Sequence, residues 1–196
     1  MRHAIAIATL LVSTTVVGAG DASAQSDRGL VPRPGEFRRS GLALGIGAGT
    51  AFAFELGDLV DVNGFGGGPS FRVGTTASER LLWMLQLDGA AYLFDAGEET
   101  GVNQLAVLAV AGQVYVLDAF WLKAGLGVAN YRQQVRRQIK LDPTDEFPGV
   151  GILTGLGLDV YQEGAIAIGL EMTVSTAVLA DGVILQGWTG VGFHIY

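Results

Sequence analysis

Residues 41–54 read Gly41-Leu-Ala-Leu-Gly-Ile-Gly-Ala-Gly-Thr-Ala-Phe-Ala-Phe54, a stretch in which small and larger side chains alternate. The odd positions hold only glycine and alanine, whereas most even positions hold leucine, isoleucine or phenylalanine. Because successive side chains leave a strand on opposite faces, this period of two predicts a β-strand. A helix would scatter both classes of side chain around its axis.

The same alternation recurs in seven further segments, so the sequence predicts eight strands. The further segments lie at about 66–75, 81–93, 106–116, 120–129, 152–161, 165–174 and 183–195. On most of them one face is bulky and apolar, and the other carries glycine, alanine, aromatic residues and a few isolated charges. The second face has too little charge for contact with water. A membrane barrel has this arrangement, because its bulky apolar side chains meet lipid and its small or polar ones fill the lumen.

The connections between the predicted strands alternate in length. Short ones lie near residues 77–79, 118 and 162–164, and longer ones at about 55–64, 95–101, 132–148 and 177–182. Outer-membrane barrels have short periplasmic turns and longer outer loops. We therefore predict an all-β fold, an eight-stranded antiparallel up-and-down transmembrane β-barrel over residues 41–196, with both ends of the barrel segment on the periplasmic side.

The N-terminal segment has the composition of an export signal. Arg2 and His3 precede a largely apolar run, and Ala22-Ser23-Ala24 has the small-residue pattern of a cleavage site. The apolar run is shorter than the roughly 20 residues that a membrane-spanning helix needs. We predict a signal peptide over 1–24 and a flexible leader over 25–40.

Composition excludes several classes of function. The chain of 196 residues has a formal net charge of −7, which disfavours a nucleic-acid partner. It has no cysteine, so thiolate metal sites and cysteine nucleophiles are excluded. His194 is the only histidine after the predicted cleavage site, has no serine beside it, and is expected near the membrane edge. The sequence therefore predicts no catalytic, cofactor-binding or metal-binding residues.

Five charged residues fall on the predicted inner face of the barrel: Arg72, Asp88, Lys123, Asp159 and Glu171. Buried charges must be paired, because an unpaired one costs several kcal/mol. From the hairpin order we expect Lys123 to reach Asp159. We also expect Arg72 to approach Asp88, and Glu171 to lie near Trp188. The main interpretation is a structural polar network in the lumen, and the alternative is a proton or ion relay or an acid/base pair.

A basic cluster lies in the longest predicted outer loop, formed by Arg132, Arg136, Arg137 and Lys140. Positive charge at this position favours a contact with the phosphates of lipopolysaccharide or with another surface. Because acidic residues follow in the same loop, the alternative is a solvated loop of mixed charge.

Several features together resemble the small eight-stranded outer-membrane β-barrels of Gram-negative bacteria, the group of OmpX, OmpW and the OmpA transmembrane domain. They are the export signal, the glycine-alternating strand from Leu42, the stretch from Leu122 to Tyr131, and the aromatic residue Tyr196. The resemblance implies an outer-membrane location, insertion by the barrel-assembly machinery, contact with outer-membrane lipid and lipopolysaccharide, and a monomer.

The functional expectation is a structural, envelope-integrity or surface-interaction role without enzymatic activity. A general pore is not expected, since eight strands enclose a lumen just wide enough for side chains. Two alternatives remain open: a barrel that acts on lipid A or handles small lipids, and a soluble secreted barrel of the lipocalin type.

Overall fold

The computed structural model describes most of the predicted barrel segment. The described residues are 39–57, 64–95, 100–137, 140–141 and 145–196. The predicted signal peptide and all of the predicted leader except its last two residues lie outside them. Among the described residues, no helix is long and apolar enough to cross a membrane.

Nine antiparallel strands make up the described fold. They are β1 (Leu42–Gly57), β2 (Gly64–Ser78), β3 (Leu81–Asp95), β4 (Thr100–Tyr115), β5 (Phe120–Arg137), β6 (Lys140–Leu141), β7 (Asp145–Glu163), β8 (Ile166–Leu179) and β9 (Gly182–Ile195). Eight of them are 14 to 19 residues long, and β6 has only two residues, paired with the end of β5. Each long strand pairs with its neighbours in the chain, and β9 returns to pair with β1. The predicted eight-stranded up-and-down barrel is confirmed.

The outer surface of the barrel is apolar. Side chains predicted to face outward are exposed, including Leu85 at 45% and Val110 at 61%. Further exposed apolar side chains surround the barrel, among them Leu44, Ile46, Phe71, Leu108, Leu126, Leu156, Leu170 and Phe193. A soluble barrel would bury these residues in its centre, so the lipocalin-type alternative is excluded. The exterior is that of a barrel in contact with lipid.

The lumen is filled by side chains. Trp121, Trp188, Tyr92, Tyr115 and Tyr131 are all buried inside it. Glycines on facing strands provide the room; a side chain at Gly157, for example, would overlap the indole ring of Trp121. The lumen also holds large aliphatic side chains that the sequence pattern did not lead us to expect there: Leu82, Leu105, Leu153 and Ile184.

Three details of the strand prediction need correction. The weak second strand, expected over 66–75, extends over Gly64–Ser78. The connection expected at 177–182 is a two-residue turn, because Ala177 still faces inward, Val178 outward, and pairing continues to Val178↔Val183. Only Ala180 and Asp181 remain for this turn. The long connection expected over 132–148 is mostly strand, because β5 continues to Arg137, β6 pairs with its end and β7 begins at Asp145. The connections expected near 55–64 and 95–101 lie largely outside the described residues.

The lipid-facing position of Val110 can be tested by a charge substitution. Val110 lies in the middle of β4, and Val116 lies at the short-turn end of the same outer face. We expect Val110→Arg to lower the free energy of unfolding in lipid vesicles by about 2–4 kcal/mol, because arginine is costly at the bilayer midplane. The matched control Val116→Arg should cost about 0–1 kcal/mol near the interface. Equal costs at both positions would contradict the assigned membrane orientation.

Candidate functional site

The lumen holds three ionisable side chains around one carboxylate, and these four residues are here called the central cluster: Arg72, Lys123, Glu171 and His194. Glu171 on β8 accepts a hydrogen bond from Arg72 on β2. Its other oxygen lies 2.8 Å from Nε2 of His194 on β9, and Nζ of Lys123 on β5 lies 3.9 Å from the oxygen that binds Arg72. All four residues are buried. One carboxylate therefore links side chains from three other strands across the lumen.

Three glycines make space for the central cluster. The stem of Lys123 crosses over Gly155, where a Cβ would lie 2.6 Å from Cε of Lys123. Gly45 leaves room for the stem of Arg72, and Gly192 leaves room for the carboxylate of Glu171. A larger residue at any of these three positions would displace a charged side chain from its partner.

A second group of polar side chains, the mouth cluster, surrounds Asp159 at the end of the barrel with the shorter turns. The carboxylate of Asp159 accepts hydrogen bonds from Tyr115, Trp121 and Gln162, each at 3.1 Å. Arg39 lies 3.5 Å from the same carboxylate, and its guanidinium stacks 3.4 Å above the ring of Tyr115. Arg39 also donates a hydrogen bond to the backbone carbonyl of Asp118. The chain entering β1 thus covers this opening of the lumen with a cation.

Asp88 forms part of a third, smaller group. The side-chain amide of Gln86 donates to both oxygens of Asp88, at 2.8 and 2.9 Å, and lies 3.4 Å from the hydroxyl of Ser70. Asp88 is buried and contributes its negative charge to the same part of the lumen as Arg72.

The five charged residues expected inside are all buried in the lumen, but the expected pairs do not form. Lys123 lies opposite Gly155, four residues from Asp159 on β7, so its ammonium reaches Glu171 instead. Arg72 lies opposite Gln86 and turns its guanidinium across the lumen to Glu171. Glu171 lies opposite Gly190, two residue pairs away from the pair Thr173↔Trp188.

His194 and Arg39 join these clusters although the sequence does not predict either of them there. His194, expected near the membrane edge, is only 2% exposed and lies inside the barrel. Its alternation with Gln186 and Trp188 predicts the inner face, and this pattern is a better guide to its location than its position near the chain end. Arg39 lies before the first strand, where no periodic pattern exists, so nothing in the sequence indicated its contacts.

The basic cluster divides into two parts. Arg132 on β5 forms an ion pair of 3.0 Å with Glu146 on β7, and both side chains are about half exposed. Further along β5, Arg136 pairs with Leu141 and Arg137 pairs with Lys140 in the register with β6. Three of the four basic residues therefore lie in two adjacent pairs at one hairpin, here called the basic hairpin: Arg136, Arg137 and Lys140.

The described residues form no group of three or more His, Cys, Asp or Glu side chains that could hold a metal ion. The hydrogen bond of His194 goes to Glu171, and the enclosed position of this pair gives a lipid substrate no access. Two cavities of about 480 and 410 Å³ are lined mainly by residues of the outer wall.

The role of Glu171 as common partner can be tested by unfolding. Glu171→Gln removes the carboxylate and leaves Arg72 and Lys123 without it, so we expect a loss of about 3–5 kcal/mol in the free energy of unfolding. The control Glu146→Gln breaks only the exposed ion pair with Arg132 and should cost less than about 1 kcal/mol. Chemical denaturation in lipid vesicles measures both. Similar small losses for the two variants would contradict a central role for Glu171.

No protein-family model matches the sequence, and no curated protein matches it. Among solved structures, the chain is similar to Ail, the attachment invasion locus protein of Yersinia pestis, crystallised in complex with the heparin analogue sucrose octasulfate. The TM-score is 0.61 at 11% identity, covering 80% of this chain and 99% of Ail. It is also similar to Neisserial surface protein A, with a TM-score of 0.56 at 13% identity, covering 80% of this chain and 97% of that protein. The chain has the fold of the small eight-stranded outer-membrane β-barrels.

Proposed function

We propose that this protein is a closed outer-membrane barrel that binds polyanions at the cell surface through its basic hairpin. The observation that carries the proposal is the β5–β6 register, in which Arg137 pairs with Lys140 directly beyond Arg136. The phosphates of lipopolysaccharide and the sulfates of acidic glycans share the chemistry that this hairpin would recognise. In the proposal the signal peptide over 1–24 directs export, and the barrel-assembly machinery inserts the chain as a monomer.

The closed lumen supports a surface role over transport. Buried aromatic rings and the central cluster occupy the interior, and Arg39 covers the end with the shorter turns. An eight-stranded barrel leaves little space beyond its own side chains. The outer connections are therefore the part of the molecule that is available for partners.

Arg132 and the basic hairpin differ in how much of their positive charge is available to a ligand. Arg132 is already paired with Glu146, so much of its charge is balanced within the protein. Arg136, Arg137 and Lys140 lie on two strands about 4.8 Å apart. Several cations at one hairpin attract a ligand with several negative groups more strongly than one with a single negative group. The crystallised complex of Ail with sucrose octasulfate is a case of a polysulfated ligand on a barrel of this fold.

A lipid-A-acting enzyme is the less favoured alternative. It would need a reactive group that a membrane lipid can reach. His194, the only described histidine, is enclosed and bonded to Glu171. We therefore assign the protein a role in envelope integrity or surface interaction without catalysis.

The proposal predicts a loss of polyanion binding in a hairpin variant. Replacing Arg136, Arg137 and Lys140 together by glutamine should weaken binding of sucrose octasulfate by at least about tenfold, since each lost ionic contact near water contributes about 1 kcal/mol. Isothermal titration in detergent at low salt measures the affinities. Binding by the parent protein should also fall as salt rises, because exposed charges are screened.

Two single variants serve as controls for this experiment. Arg132→Gln removes a cation already paired with Glu146, and Arg80→Gln removes one at a turn on the opposite end of the barrel. Both should bind sucrose octasulfate within about twofold of the parent protein. A hairpin variant that binds as tightly as the parent would overturn the proposal.

A further inference from the structure

A groove on the outer wall, here called the wall groove, crosses from β2 to β5 and encloses about 410 Å³. Its floor is formed by Gly67, Gly89, Ala91 and Ala106, which face outward but carry almost no side chain. Bulky apolar residues bound it on both sides. Phe65 and Leu93 are 68% and 64% exposed on one side, and Phe71 and Leu87 project on the other. The groove spans three strand spacings of about 4.8 Å, or roughly 14 Å, which accommodates a saturated acyl chain of medium length.

Polar side chains line one end of the wall groove. Arg132 and Asn130 on β5 and Gln104 on β4 line it there, on a face that is otherwise apolar. Gln104 pairs with Arg132, and Ala106 pairs with Asn130, so these polar groups directly continue the floor of small residues. The side-chain amide oxygen of Asn130, Oδ1, is buried and accepts no hydrogen bond from the described residues. An amide oxygen against hydrocarbon is costly without a donor, so this end of the groove suits a ligand with polar groups.

The sheet itself is interrupted at the wall groove. The paired positions of β2 and β3 pass from Gly67↔Ala91 to Ser70↔Asp88, and skip Gly68 and Pro69. Proline has no N–H to donate, which accounts for a missing ladder bond. From inside the lumen, the indole N–H of Trp188 donates to the carbonyl of Gly68 at 3.0 Å. The β2–β3 ladder is therefore interrupted at this point, whereas β2 stays in register with β1 and is supported from within by Trp188.

We propose that the wall groove binds one phosphorylated glycolipid of the outer leaflet, of the lipid A type. One acyl chain lies over Gly89 and Ala106, an amide or hydroxyl of the lipid forms a hydrogen bond with the exposed side chain of Gln104, and a phosphate accepts hydrogen bonds from Arg132. The guanidinium carries five N–H donors, so it can bind a phosphate while it keeps its contact with Glu146. The larger cavity of about 480 Å³ has only apolar side chains at its exposed rim and offers no headgroup contact.

This inference rests on the outer-membrane location in the proposed function, but not on the basic hairpin. Native mass spectrometry of the mature protein in detergent tests it with three probes: bisphosphorylated lipid A, dephosphorylated lipid A and phosphatidylethanolamine. The parent protein should retain one bisphosphorylated lipid A in preference to the other two. The hairpin variant should retain it equally, which separates a failure of the groove from a failure of the hairpin.

Two variants localise the lipid to the groove. Ala106→Leu fills the middle of the floor and should weaken lipid A binding about fivefold, because the acyl chain loses close packing against the wall. Its control, Ala124→Leu, makes the same change at an exposed outward position of β5 outside the groove and should bind like the parent. Arg132→Gln should remove the preference for phosphorylated over dephosphorylated lipid A.

Three results would overturn the inference. One is unchanged lipid A binding in Ala106→Leu. Another is equal retention of phosphatidylethanolamine and lipid A by the parent protein. The third is a species of twice the protein mass that disappears in Ala106→Leu, because this would assign the groove to a second copy of the chain.

Discussion

The barrel depends on one requirement of the bilayer: backbone N–H and C=O groups that face hydrocarbon must find partners within the protein. The chain meets it by closing β1 on β9, in a register that runs from Leu44↔Ile195 to Gly57↔Gly182. Closure leaves no sheet edge among the eight long strands. It also fixes the side-chain faces, because every strand then has one side toward lipid and the other toward a narrow lumen. The apolar outer wall and the crowded interior both follow from this closure.

Charge balance in the lumen is a consequence of the same closure. Arg39, Arg72 and Lys123 lie inside with Asp88, Asp159 and Glu171, and the three cations form ion pairs with Asp159 and Glu171. Each carboxylate accepts hydrogen bonds from more than one donor or from a two-donor amide. Replacing one of these residues would therefore disturb partners on several strands. The network stabilises the closed interior that the proposed surface role requires.

The sequence predicted the strands and their faces because alternation is a local property. Leu85 and Val110 point outward for the same reason that the glycines of the first strand point inward. Partner choice across the lumen is not local. A shift of four residues along β7 separates Lys123 from Asp159, and no pattern within either strand reveals that shift. Arg39 could not be placed, since it belongs to no strand. The alternation of His194 with Gln186 and Trp188 indicates the inner face, whereas its position near the chain end indicates the membrane edge.

The strand β5 illustrates how depth decides the role of a cation. Lys123 lies on the inner face at the level of the apolar belt, where only a buried carboxylate can compensate its charge. Nine residues further, Arg132 lies on the outer face, where Glu146 and solvent together compensate its charge. Beyond it, Arg136 and Arg137 lie where β5 extends past its pairing with β7 and pairs with β6. Inner charges are thus committed to the fold, whereas the outer ones can contribute to binding. For this reason the proposed binding functions lie on the wall groove and the basic hairpin, and the proposed role of the central cluster is structural.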